Sequence, residues 1–394
     1  MSTKDPLVIL SARRTPVGAF QGVFAGLTAP QLGAVAIKAA LADSGVAATE
    51  VDEVIMGCVL SAGLGQAPAR QAALGAGIPA SVPGTTVNKM CGSAMRAIMQ
   101  AGDQILAGSA RIMVAGGLES MTNAPYLLPK ARAGYRMGHQ EVLDHMFTDG
   151  LQSPWDGQLM GCFAEATSGK YEFTRQAQDD FARESGRRAQ AAMSGGAFAD
   201  EIAPVTAKSR KGESVISQDE TPGTIDVSKI PSLKPAFRKD GTVTAASSAS
   251  ISDGAAAVVL TRESVALERG LPPIARIVGY ASFATEPEWF TLAPVGAISK
   301  LLKLIEWRAE DVDLYEINEA FAVVTMAAMK DLGLDHAKVN VNGGACSLGH
   351  PIGATGARLL TTLIHALRNR GKKRGIASLC IGGGEATAMA VEVL

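Results

Sequence analysis

The chain repeats itself. Residues 45–52 read GVAATEVD and residues 306–313 read EWRAEDVD, 261 positions apart. At that offset Ala36, Ile37 and Leu41 fall on Ala297, Ile298 and Leu302, in two stretches with helical apolar spacing. Val54-Ile55-Met56 falls on Tyr315-Glu316-Ile317, two short strand-like runs. Each copy continues with a second helical stretch (67–76 and 321–332) and a short apolar run into a Gly-containing loop (VPGTTVNKMCGS and AKVNVNGGACSLGHP). A third helix follows, then a strand ending in glycines (RIMVAGGLES and GIASLCIGGGEA). Alternating strand and helix implies a mostly parallel or mixed sheet covered by helices, an α/β fold built twice. Runs such as VIMGCVL and IASLCIG are continuously apolar, as strands covered on both faces must be.

Residues 121–242 break the first copy. They are richer in charge and Pro, carry Trp155, and contain the basic run Lys208-Ser209-Arg210-Lys211. The alanine-rich strand at 254–261 resumes the copy, so the segment reads as an insertion of the kind that supplies ligand contacts. The expected organisation is an N-terminal domain of 1–120 with 243–270, an inserted loop domain of 121–242, and a C-terminal domain of 271–394.

Net charge is −1, without the long-range field of a nucleic-acid binder or polybasic membrane binder, so any anionic ligand is met by local basic groups. Five scattered cysteines (Cys58, Cys91, Cys162, Cys346, Cys380) with no C-x-x-C pair argue against a disulfide framework or a zinc site. Reduced thiols and the lack of a secretory signal at the start of the sequence point to the cytoplasm. The uncharged stretch 15–37 is broken by Pro16, Pro30 and four glycines and is not read as a membrane span.

Four residues stand out chemically. Cys91 precedes a helical stripe (Ala94, Met95, Ile98, Met99, Ile105, Leu106), so its thiol sits at a helix N-terminus, where backbone N–H groups and the dipole favour thiolate. The bland alternative is a small buried hydrophobe. His350 lies in NGGACSLGHPIGATGARLL, with five glycines between 343 and 356, and is fixed between Gly349 and Pro351 as a general base or oxyanion donor must be. Such a loop could also cradle phosphate, but it matches neither the P-loop nor the G-x-G-x-x-G pattern. Cys380 ends the strand GIASLC before Gly382-Gly383-Gly384. A duplicated fold brings equivalent loops together near its pseudo-twofold axis, so Cys91, His350 and Cys380 could converge. Two thiols and a histidine suit covalent acyl transfer, or a redox dithiol. Asn318, after a strand, reads equally as a helix N-cap or as a functional residue. Cys58, Cys162, Cys346, His139, His145, His336 and His365 read as packing or surface residues.

Five ordered motifs now carry a resemblance: SARRTPVGAFQG, VNKMCGSAMRAI, NEAFA, NGGACSLGHPIGATGAR and CIGGGEATAMAVE. The chain resembles the thiolase family end to end, and within it the acetyl-CoA acetyltransferase branch. The resemblance implies a layered core of two duplicated domains and a reversible Claisen condensation of two acetyl-CoA, or of acetyl-CoA with a short acyl-CoA, through an acyl-Cys91 intermediate. It makes His350 the activating base, Cys380 the acid/base at the α-carbon, and Asn318 the holder of an oxyanion-hole water with His350. Cys91 and Gly382 would form the other oxyanion hole. Met160, Phe237, Ala245, Ser248, Ala320 and Phe321 would face the CoA thioester. The family also implies a homodimer or, with an arm at 126–145, a homotetramer, and no cofactor or metal beyond CoA thioesters as substrates. Two strings depart from the pattern of acetoacetyl-CoA thiolases: Leu159-Met160-Gly161 stands for His-Met-Gly, and Ser247-Ser248-Ala249 for Asn-Ala-Ser, with Ser248 or Ser250 as the substitute serine. The first favours the alternative, a 3-ketoacyl-CoA thiolase of longer chains. A decarboxylating ketosynthase and a non-catalytic acyl-CoA binder are the remaining rivals.

Overall fold

A computed structural model places residues 5–209 and 212–394. Arg210 and Lys211 of the basic run therefore lie outside the described residues, while Lys208 pairs with Glu213 at 3.0 Å. The first copy runs β1 (Leu7–Arg14), α1 (Ala29–Ser44), β2 (Glu53–Gly57), α2 (Pro68–Gly75), β3 (Gly84–Val87), α3 (Ser93–Ala107) and β4 (Ile112–Ser120). The insertion carries α4 (Met160–Tyr171) and α5 (Arg175–Ser194), and β5 (Ser252–Arg262) closes the copy. The second copy runs β6 (Ala275–Ala284), α6 (Ala293–Ile305), β7 (Leu314–Ile317), α7 (Ala322–Leu332), α8 (Thr355–Asn369), β8 (Arg374–Ile381) and β9 (Glu385–Val393).

The strands order as β3-β2-β4-β5-β1-β6-β9-β8-β7, so counterparts occur in the same order outward from the middle. The place equivalent to β3 is held by a single parallel bridge from Val339 to Tyr315. The sheet is mixed: β2 is parallel to β3 and β4, and β7 to β8, while β5 and β9 run antiparallel to their neighbours. The two half-sheets pair through Val8–Arg276 and Ile9–Ala275.

Strand alternation sorts the side chains into layers. Met113 and Ala115 of β4, with Ala377 and Leu379 of β8, share one core with Met95, Ile98 and Met99 of α3 and Leu359, Leu360 and Leu363 of α8. Ile112 and Val114 turn the other way onto α1 and α2, and Ile376 and Ala388 onto α6. The result is five layers, with α3 and α8 sandwiched between the two half-sheets.

The 261-residue offset holds from helix to strand: β2 begins at 53 and β7 at 314. Both preceding helices end in a left-handed residue, Gly45 (φ 71°) and Glu306 (φ 57°), so the backbone turn persists where the glycine does not. The offset then changes because residues 58–67 link β2 to α2, whereas only 318–321 link β7 to α7. Where β4 and the two helix starts of the middle layer meet, there is no room for side chains. A Cβ on Gly117 would lie 2.1 Å from the Gly353 carbonyl oxygen, and one on Gly356 would lie 2.6 Å from Met95 N.

The insertion is tied back to β1 by charge. Buried Arg14 donates to Glu201 at 2.6 Å and to both oxygens of Asp219 at 2.7 and 2.9 Å, with Phe198 stacked at 5.0 Å. Among the described residues no helix is long and apolar enough to cross a membrane.

Candidate active site

Cys91 stands just outside α3, whose cap is Gly92. The turn is strained: Met90 adopts φ 48°, an outlier for a bulky side chain and a frequent mark of functional sites. The Ser93 hydroxyl holds it, accepting the Lys89 N–H at 2.8 Å and donating to the Met90 carbonyl at 2.6 Å. A Cβ on Gly92 would lie 2.4 Å from Ile381 Cδ1, so this turn presses against the end of β8. Lys89 reaches across to pair with Glu385 at the start of β9.

The Cys91 sulfur receives the N–H groups of Gly382 and of Cys91 itself, yet burial outweighs them and pushes the thiol from 9.0 up to about 11. Burial therefore opposes the thiolate that the helix position favours. Cys91 nonetheless remains partly open to solvent.

His350 presents a ring nitrogen without a partner. Its Nδ1 lies 2.6 Å from Thr355 Oγ1, and the Thr355 hydroxyl donates its own proton to the Pro351 carbonyl at 2.9 Å. Thr355 can therefore only accept, so Nδ1 carries the imidazole proton and Nε2 is left with a lone pair. Nε2 is buried without a protein partner. Burial, then the charge of Arg358, lowers the ring from 6.5 to about 3, which keeps it neutral. Arg358 in turn donates to Glu316 at 3.4 Å, a buried pair at the base of the site. The His350 loop reaches Cys91 through Ile352, which packs with Val59, Leu60, Met121 and Met146 beside Met90 and Cys91.

Cys380 is fully buried on β8, and burial followed by the neighbouring Cys91 pushes its thiol well above the usual range. Asn318 is not an N-cap: α7 is capped at Phe321, and both Oδ1 and Nδ2 of Asn318 are buried without a protein partner. Unpaired buried amide groups cost about 1–3 kcal/mol each, so the side chain is held for something other than local structure.

Met160, Phe237, Ala320 and Phe321 pack in one cluster with Cys380, the Phe237 and Phe321 rings edge to face at 5.8 Å. Met160 Sδ lies 3.6 Å from where a Gly382 Cβ would be. Ser248 joins Phe321 through a backbone bridge but spends its hydroxyl on the Thr244 carbonyl at 2.7 Å, and the Ser250 hydroxyl faces Ser252 at 3.3 Å. Ala245 is exposed nearby in the chain. Of the residues set aside, Cys58 meets Glu119 at 3.7 Å, Cys346 meets the Glu319 carbonyl at 3.7 Å, His145 pairs with Asp149 at 2.6 Å, and His365 contacts the Ala12 carbonyl at 3.0 Å. Thr355, Arg358, Glu316 and Glu119 escaped the sequence reading. Thr355 alone had a local signal, a hydroxyl in the first turn after the His350 loop.

Two family descriptions match: "Thiolase, N-terminal domain" over residues 7–264 and "Thiolase, C-terminal domain" over 271–393. An acetyl-CoA acetyltransferase of Cupriavidus necator is 50% identical over 390 residues, covering 98% of this chain and 99% of that protein. The crystal structure of the Bacillus anthracis acetyl-CoA acetyltransferase superposes with a TM-score of 0.97 at 44% identity, covering 99% of each chain. The Acat5 thiolase of Ascaris suum, solved in complex with coenzyme A, gives 0.94 at 43% identity over 99% of this chain and 100% of its own.

Proposed function

The chain belongs to the thiolase family and has the thiolase fold, and from that premise we propose that it works as an acetyl-CoA C-acetyltransferase, with Cys91 as the acylated nucleophile. The observation that carries the residue roles is that Cys91, partly open and with its sulfur on the Gly382 N–H, packs beside Ile352 of the loop that holds His350, whose buried Nε2 has no protein partner.

In this reading Cys91 Sγ attacks the acetyl-CoA carbonyl while Nε2 takes the thiol proton, and the Cys91 and Gly382 N–H groups meet the developing oxyanion. CoA leaves with the proton of Cys380, which becomes a thiolate paired with the imidazolium. That thiolate removes an α-proton from a second acetyl-CoA, whose enolate oxygen is held by His350 and by a water on Asn318. The enolate carbon bonds to the acetyl carbon, Cys91 leaves, and His350 returns its proton. The products are acetoacetyl-CoA and CoA, and all groups regain their resting protonation. A buried thiol with a raised pKa suits this role, since its thiolate is a strong base.

The Met160, Phe237 and Phe321 side chains packed on Cys380 leave a wall suited to short acyl groups, which favours this reading over a thiolase of longer chains. Residues 121–242 would carry CoA contacts and oligomer contacts. The hairpin of Tyr126–Leu127 with Leu143–Asp144 exposes Tyr126, Leu128, Met137 and Val142, an apolar arm that supports a homodimer extended to a homotetramer. Five free cysteines fit a reducing cytoplasm.

Brief exposure to acetyl-CoA should raise the intact mass by one acetyl group in the wild type and not in Cys91→Ala, with thiolysis faster on acetoacetyl-CoA than on 3-ketohexanoyl-CoA. An unchanged wild-type mass sinks the assignment of Cys91.

A further inference from the structure

Glu119 lies near the end of β4, fully buried, and among the described residues no Lys, Arg or His forms an ion pair with it. Its Oε2 accepts the N–H of Val59 at 3.0 Å and of Gly353 at 2.8 Å, and its Oε1 accepts the N–H of Leu60 at 3.1 Å and faces the Cys58 thiol at 3.7 Å. Val59 and Leu60 belong to the loop after β2 in the first copy. Gly353 belongs to the loop before α8 in the second, three residues after His350 and two before Thr355. One carboxyl group therefore joins the two halves where the Cys91 turn and the His350 loop meet. The fit leaves no slack: a Cβ on Gly353 would lie 2.6 Å from Glu119 Oε2.

The carboxyl group is not there to activate Cys91, because its charge pushes the thiol further up. Burial raises Glu119 itself from 4.5 to about 7, with the three N–H groups opposing. An amide could not replace it. Gln offers one acceptor oxygen and two donors, so at least one of the converging N–H groups would face another N–H.

We propose that Glu119 is a positioning residue of the acyl-transfer site, its carboxylate clamping the 58–60 loop to Gly353 and so fixing His350 Nε2 relative to Cys91. The proposal rests on the roles given above to Cys91 and His350. Misplacing a reacting pair by about 1 Å costs up to about a hundredfold in rate. Glu119→Gln should therefore lower kcat at least tenfold, leave KM for acetoacetyl-CoA within about threefold, and slow alkylation of Cys91 by iodoacetamide at pH 7.5 by a similar factor. Alkylation is followed by intact mass and needs no turnover. If Cys91→Ala keeps its turnover, it is the nucleophile assignment that fails; if Glu119→Gln keeps both kcat and alkylation rate within twofold of wild type, it is the clamp. Glu119→Asp keeps the charge and shortens the reach by one methylene. Should the Gln variant not fold, a folded Asp variant with reduced kcat and unchanged KM supports the clamp, and one with unchanged kcat overturns it.

Discussion

At the scale of single residues, the candidate site is defined by groups left without partners and by what burial does to their protons. His350 is neutral because its ring is buried beside Arg358, and its tautomer is set by Thr355, whose only proton goes to Pro351. A free imidazole with pKa near 6.5 is mostly protonated at pH 5. His350, lowered to about 3, stays neutral there and gains its proton only as pH falls through that lower value. Two-bond ¹H–¹⁵N spectra, assigned against His350→Asn, should show a neutral ring protonated on Nδ1 from pH 8 down to pH 5. A ring already cationic at pH 6 contradicts this account. Burial likewise pushes the Cys91 thiol up, to about 11.

At the scale of elements, the geometry depends on backbones crossing without side chains between them. β4 passes the 353 loop so closely that Gly117→Ala would place a methyl 2.1 Å from a carbonyl oxygen and 2.7 Å from Ala94 Cβ. Neither neighbour is the free end of a flexible side chain, so the strand must separate from the loop, at a cost of about 3 kcal/mol or more. Gly169, an exposed residue near the end of α4, has nothing within 4 Å of its would-be Cβ, and Gly169→Ala should stabilise by about 0.5–1 kcal/mol through helix propensity. Urea unfolding of both variants checks the opposite signs. The repeating alternation of helix and strand was legible because periodicity encodes it locally. The loop lengths behind the change of offset, 58–67 against 318–321, carry no pattern of their own, although the helical stretches at 67–76 and 321–332 already stand 254 apart.

At the scale of the whole molecule, the insertion is anchored by a charge cluster rather than by an apolar seam alone. Arg14 on β1 is held charged by Asp219 and Glu201, both from the insertion. Arg14→Met removes the cation and leaves two buried carboxylates facing each other's field, a loss of about 3–5 kcal/mol by analogy with broken buried pairs. Hydrogen exchange should show residues 198–220 released well before the layered core. Uniform protection in the variant would mean that apolar contacts such as Phe198 and Ile202 suffice.

The sequence by itself determined the doubled α/β plan and the interrupted first copy, and it singled out Cys91, His350, Cys380 and Asn318, because spacing, glycine-rich loops and ordered motifs are written along the chain. It read Cys91 as a thiolate and left Asn318 open as an N-cap, since a helix terminus is visible in one dimension and burial is not. Only the tertiary structure decided that desolvation outweighs the helix end, that Thr355 sets the His350 tautomer, and that Glu119 binds loops from both copies. Desolvation and convergent hydrogen bonding arise from residues distant in the chain, and no local pattern carries them.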